Sequence, residues 1–136
     1  MNLKKNKNEL EIKVYYEDTD AAGIVYHSKY LNFAERGRTE FLRGIGFYQS
    51  QLHKKEKIRF VVKSLKIDYK DYSELDDTLK VNTYIKLANR AKIIFIQKVL
   101  KKGKTITSLE VMVCCIRENG RVARMPIELY NNLIKG

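Results

Sequence analysis

The stretch Tyr15 to Tyr30, YYEDTDAAGIVYHSKY, joins an alternating strand to a long helix through a turn holding two aspartates, a glycine and a histidine. Leu10, Ile12, Val14 and Tyr16 fall on every second residue, with Glu11, Lys13 and Tyr15 between them, which predicts a half-buried strand over Leu10 to Tyr16. Asp18-Thr19-Asp20-Ala21-Ala22-Gly23 then turns the chain, because these residues bond to nearby backbone or tolerate unusual dihedrals. From about Ser28 the apolar spacing becomes helical, through Tyr30, Phe33/Ala34, Gly37, Phe41 and Ile45. The helix is expected to end about Gly44-Ile45-Gly46, with both glycines supplying positive-φ positions. A shorter helical segment is read over Tyr48 to His53.

Strand follows strand beyond Ile58. Arg59 to Tyr72 reads as one strand whose alternation slips near Lys63-Ser64, the mark of a bulge, and Ser73 to Asp77 turns it. Thr78 to Leu87 alternates, Ala88 to Ala91 turns, and Lys92 to Leu100 returns. Lys101 to Lys104 turns again, Thr105 to Arg117 follows, and Glu118-Asn119-Gly120-Arg121 carries an Asn-Gly hairpin signal. A short strand, Arg121 to Arg124, stops at Pro126, and Ile127 to Ile134 reads as a terminal helix. One strand, one long helix and then an antiparallel meander make an α+β order, in which a sheet of five or six strands wraps around the helix.

The junction carries the chemistry. A helix N-terminus offers free N–H groups and partial positive charge to an oxygen that becomes an oxyanion, and the neighbouring carboxylate of Asp20 can attack a carbonyl or take a proton from water. Asp, Thr and Ser before a helix also serve simply as caps.

The run YxDTDxxGxVYHxxYLxxxExxR, present from Tyr16 through Arg38, resembles the acyl-CoA thioesterases of the 4-hydroxybenzoyl-CoA thioesterase family. It is most similar to the Tol-Pal-associated bacterial (YbgC-type) branch, and the resemblance extends more weakly over most of the chain. It implies a hotdog fold and hydrolysis of the thioester of acyl-CoA, or of acyl carrier protein, to free acid and thiol. It implies Asp20 as catalytic nucleophile or general base, with Tyr16 and His27 lining the site and a backbone N–H near His27 polarising the carbonyl. No cofactor is implied. Another thioesterase branch with this fold uses a helix glutamate, for which Glu35 or Glu40 would stand, but that branch lacks Asp-Thr-Asp. Ala22 stands where close relatives often have Gly, and Gly37 where they usually have Ala. A helical Gly costs about 0.5 to 1 kcal/mol relative to Ala, which suggests close packing on the sheet or a tolerated loss.

A chain of 136 residues, 44% hydrophobic and 32% charged with one Pro, suits a single domain spanning residues 1–136. Met1 to Asn8 has three lysines but no apolar run behind it, and no later stretch is long enough to span a membrane, so a cytoplasmic protein is expected. Cys114 and Cys115 are neighbours on a strand and point to opposite faces, so reduced thiols are expected. Two widely separated histidines, His27 and His53, give no zinc spacing, and no metal is expected.

Twenty-seven Lys and Arg against sixteen acids leave a net charge of +11, which favours polyanions: coenzyme A, acidic acyl carrier protein or nucleic acid. Arg90, Lys92, Arg121 and Arg124, at turns, are read as binding the phosphates of coenzyme A. The alternative is a basic, non-enzymatic module for nucleic acid or a protein partner. The basic residues form no dense stripe with interleaved aromatics, so nucleic acid is not the expected partner. Open sheet edges predict a homodimer or homotetramer.

Overall fold

The computed structural model describes residues 7–135, so Met1 to Asn6, and with them most of the leader reading, lie outside the described residues. The chain runs β1 (Lys7–Lys13), α1 (Lys29–Gly44), α2 (Gln49–Glu56), β2 (Ile58–Tyr69), β3 (Thr78–Ala88), β4 (Ile93–Lys101), β5 (Lys104–Arg117), β6 (Val122–Ala123) and α3 (Ile127–Ile134). The strands form one sheet in the order β1-β3-β4-β5-β2, with β6 also paired to β5 and every pairing antiparallel. No described helix is long and apolar enough to cross a membrane.

The sheet wraps around α1 because the helix is apolar along one stripe. Tyr30, Phe33, Ala34, Gly37, Phe41 and Leu42 are buried, at the spacing that lines one helical face, while Glu35, Arg36 and Arg43 stay exposed. Each fully buried aromatic contributes about 1.5 to 3 kcal/mol. Phe41 meets Phe95 of β4 edge to face at 5.6 Å. Gly37 marks a close approach of helix to sheet. A Cβ there would lie 2.8 Å from both Thr83 Oγ1 and Val81 Cγ1 and 2.9 Å from Gln97 Nε2, so of the two readings of this glycine, close packing holds.

A buried polar network crosses the same contact. Gln97, fully buried, donates from Nε2 to the Ala34 carbonyl at 2.8 Å and to Thr83 Oγ1 at 2.9 Å, and accepts from Arg38 Nη1 at 2.9 Å. This satisfies both ends of a buried amide, whose burial without partners would cost several kcal/mol. Arg38 therefore turns toward the sheet, and the Glu35–Arg38 surface pair allowed by the sequence spacing is not among the ion pairs of the described residues.

Several boundaries differ from the sequence reading. β1 ends at Lys13, and Tyr16 starts a single 3₁₀ turn with its side chain 82% exposed, because the pairing partner β3 begins only at Thr78, opposite Lys13. At the end of α1 only Gly46 has positive φ (+91°); Gly44 does not. α2 runs to Glu56, closed by Lys57 in the left-handed region. β2 stops at Tyr69, where the N–H groups of Lys70 and Asp71 both turn onto the Ile106 carbonyl. The bulge lies where the alternation slips, between Val62 and Ser64. Cys114 is half-buried and Cys115 buried, both free, and burial pushes the Cys115 thiol up to about 12.

The largest difference is topological. Ser73 to Asp77 is not a hairpin between neighbouring strands: β2 and β3 lie on opposite sides of the β4-β5 pair. The segment between them crosses the end of the sheet where α1 begins. Its position there is fixed by hydrogen bonds from the Val25 N–H to the Ser73 carbonyl (2.8 Å) and from the Val14 N–H to the Asp77 carbonyl (2.9 Å). That crossing builds the floor beneath the Tyr15 to Tyr30 stretch.

Candidate active site

Between β1 and α1 the chain folds into a short hairpin-like loop. The Tyr26 N–H donates to the Asp18 carbonyl (2.9 Å), Thr19 bridges Val25, the Asp20 N–H donates to the Ile24 carbonyl (2.9 Å), and Gly23, at φ +83°, closes the tip by donating to the Asp20 carbonyl (3.0 Å). Only a residue without a Cβ takes that φ freely, which is why glycine stands there. Ile24 bridges Glu74, tying the loop to the crossing segment.

The two aspartates have separate environments. Asp18 is buried at 7% exposure, and its Oδ2 accepts the Tyr15 N–H at 2.9 Å, so it fastens the loop to the end of β1. Asp20 is exposed at the tip, its Oδ1 accepting the Ala22 N–H at 2.8 Å. That bond orients the carboxylate and leaves its other oxygen, and the remaining lone pairs, open to solvent or ligand.

The start of α1 supplies the opposite kind of group. Ser28 occupies the cap position without a side-chain cap bond. Among the described residues, the N–H groups of His27 and Ser28 donate to no protein acceptor; the first amide of the run to do so is that of Lys29, to the Tyr26 carbonyl at 2.8 Å. Two adjacent free donors thus sit where the helix dipole is positive. Around them lies a cluster of rings: Tyr26 against His27 at 4.4 Å, His27 against Tyr69 at 6.3 Å and Tyr30 against Tyr69 at 5.8 Å. Tyr30 Oη and Ser73 Oγ are 2.6 Å apart, and burial raises the Tyr30 phenol above its usual range.

His27 and the free amides are thus at the base of the loop and Asp20 is at its tip. Tyr16 points into solvent beside the base. The four basic residues lie elsewhere. Arg90 and Lys92 flank the β3-β4 turn and Arg121 and Arg124 flank β6, beyond the end of β3 remote from Asp77. The length of β3 separates them from the loop within one chain, about 35 Å at about 3.3 Å per residue of extended chain. Arg90 is half-buried: its Nε donates to the Met125 carbonyl at 3.0 Å, and its own carbonyl accepts the Met125 N–H at 2.8 Å. Arg121 and Arg124 are exposed.

One feature escaped the sequence reading. α1 covers β1, β3 and β4 but leaves the inner face of β2 open, so Val62, Leu65 and Tyr69 are 44%, 42% and 42% exposed. Between this strand and α1 runs a groove of about 200 Å³ walled by Leu31, Asn32 and Glu35, continuing past Arg38 into a cavity of about 70 Å³ that ends against Thr39 and Gln49. Burial lowers the Arg38 guanidinium below its usual range, partly offset by the Glu35 carboxylate. Edge-strand exposure could have hinted at the groove only once the strand order was known.

A curved antiparallel sheet around one long helix, open along β2, is the hotdog fold, and solved structures similar to it include thioesterases. One is a probable thioesterase from Bartonella henselae, 34% identical, with a TM-score of 0.85 over 88% of this chain and 99% of that one. The family model described as the Thioesterase-like superfamily matches residues 14–133, and the chain belongs to that superfamily. It is 44% identical over 105 residues, 77% of each chain, to a protein of Haemophilus influenzae named acyl-CoA thioesterase YbgC. It is 40% identical over 106 residues, 77% of this chain and 78% of the relative, to one of Escherichia coli O6:H1 named acyl-CoA thioester hydrolase YbgC.

Proposed function

We propose that this chain hydrolyses acyl-CoA thioesters, with Asp20 as nucleophile or general base on water and the amides of His27 and Ser28 polarising the thioester carbonyl. The observation that carries the reading is the pairing of an exposed, backbone-oriented carboxylate with two free amides on one short loop. The carbonyl oxygen gains negative charge as the tetrahedral intermediate forms, and fixed N–H donors stabilise that charge more than they stabilise the ground state. His27 and Tyr16 position substrate or water. No cofactor enters this chemistry.

In this reading a second copy completes the rim of the site. β2 is an unpaired edge with apolar side chains exposed, and two such edges pairing antiparallel about a twofold axis would form a homodimer, from which a homotetramer can be built. That pairing brings the Ile58 end of one β2, which carries Arg117 and Arg121 nearby, toward the Tyr69 and His27 end of the other. It therefore also supports a phosphate-binding role for the exposed cations, which a single chain would leave remote. The acyl group then lies in the groove between α1 and β2. Acyl carrier protein, being acidic, is the alternative thiol carrier for the same basic rim, in a cytoplasmic setting. No observation of the fold favours the basic binding module.

The test is thiol release from a panel of aryl, short aliphatic and long aliphatic acyl-CoAs by the purified protein; turnover of none of them would end the proposal. Within that assay Arg124→Ala and Arg121→Ala should raise KM for acyl-CoA severalfold with kcat little changed, because phosphates are held equally in ground and transition states. A truncated thioester lacking the nucleotide should be unaffected. Equal losses on both substrates would point to damage at the interface.

A further inference from the structure

The geometry points to Tyr69 as a positioning residue, whose hydroxyl, by holding the His27 carbonyl, aims the Ser28 N–H at the thioester oxygen. This rests on the hydrolase reading above and assigns a role to a residue 42 positions away in sequence from the peptide it holds.

Tyr69 Oη donates to the His27 carbonyl at 2.8 Å. The peptide between His27 and Ser28 is planar and trans, like every peptide bond described, so its C=O and N–H point in opposite directions. Fixing the carbonyl on one side therefore fixes the direction of the Ser28 N–H on the other. That N–H has no protein acceptor among the described residues. Without such a restraint, a cap residue whose side chain makes no cap bond would leave this peptide free to tilt. A donor that tilts must be reoriented at the moment of reaction, and the advantage of a fixed dipole is lost. The Tyr69 ring is itself held, edge-on to Tyr30 at 5.8 Å and to His27 at 6.3 Å, and Tyr30 is tied to the buried Ser73. The hydroxyl thus hangs from a braced ring at the end of β2. Desolvation raises the Tyr69 phenol above its usual range, which keeps it a donor through the neutral range.

Tyr69→Phe removes the oxygen and keeps the ring. The expected result is a kcat lower by about tenfold or more, with KM and the thermal midpoint unchanged; outright removal of one oxyanion donor costs about 10²- to 10³-fold, and misalignment costs less. The second readout is the carbonyl stretch of a ¹³C-labelled acyl-CoA bound to slow Asp20→Asn protein, read by difference infrared spectroscopy. It should shift to lower frequency on binding, and the shift should shrink in Asp20→Asn/Tyr69→Phe. An unchanged kcat and stretch in protein that hydrolyses acyl-CoA would overturn the role of Tyr69 while leaving the hydrolase reading intact. A kcat loss accompanied by a lower thermal midpoint and an unshifted stretch difference would overturn it too, since the hydroxyl would then only brace the fold. Failure of the unmodified protein to turn over any thioester would instead strike the hydrolase reading.

Discussion

Asp20→Asn is expected to lower kcat for acyl-CoA hydrolysis at least about a hundredfold, the lower end for an essential acid or base, while fold and oligomer persist. The substitution is nearly isosteric. Asparagine's Oδ1 still accepts the Ala22 N–H, so the tip keeps its shape, and Asp20 makes no ion pair among the described residues whose loss would unsettle the chain. What is lost is the charge and basicity needed either to attack the carbonyl or to take a proton from water. A steady-state thiol-release assay with circular dichroism and size-exclusion controls checks this; wild-type turnover would remove Asp20 from the chemistry.

Gly37→Val should produce the largest loss of stability, about 3 kcal/mol or more. Its first added carbon would fall within 2.9 Å of three atoms, two on the β-branched, fully buried Val81 and Thr83, which have little rotamer freedom to yield. The third belongs to Gln97, whose amide would have to leave the Ala34 carbonyl and Thr83. Overpacking of this kind costs about 1 to 3 kcal/mol, and each buried polar group left unpaired about 1 to 3 kcal/mol more. The better helix propensity of valine over glycine returns only a few tenths. Urea unfolding measures the difference; an unchanged midpoint would show that α1 can lift from the sheet without loss.

What the sequence made legible was local. The 3.6-residue spacing of Tyr30, Phe33, Gly37 and Phe41 marked the buried face of α1, the slip at Lys63 marked the bulge, and Asn119-Gly120 marked a tight turn, because each is a property of a few consecutive residues. The strand order was not legible. Ser73 to Asp77 has the composition of a hairpin turn, and only the packing of β3 against β1 decides that it crosses the end of the sheet instead. The same limit hid the partners of the site. Arg38 has its hydrogen-bond partner in Gln97, 59 residues away, which no local spacing announces. Alternation placed Tyr16 on the core face, but the strand ends three residues earlier. For the candidate site, the Asp-Thr-Asp run and the helix start were visible as residues, while the division of labour between buried Asp18 and exposed Asp20 required their burial.

The central claim is that a carboxylate and backbone amides, with the imidazole in support, perform the chemistry. It is tested most directly by kcat at saturating acyl-CoA for Asp20→Asn and His27→Ala, measured side by side. His27→Ala keeps its backbone N–H, so it should retain clearly more activity than Asp20→Asn. The reverse order of severity would contradict the account, making the imidazole the reacting group and Asp20 its orienter.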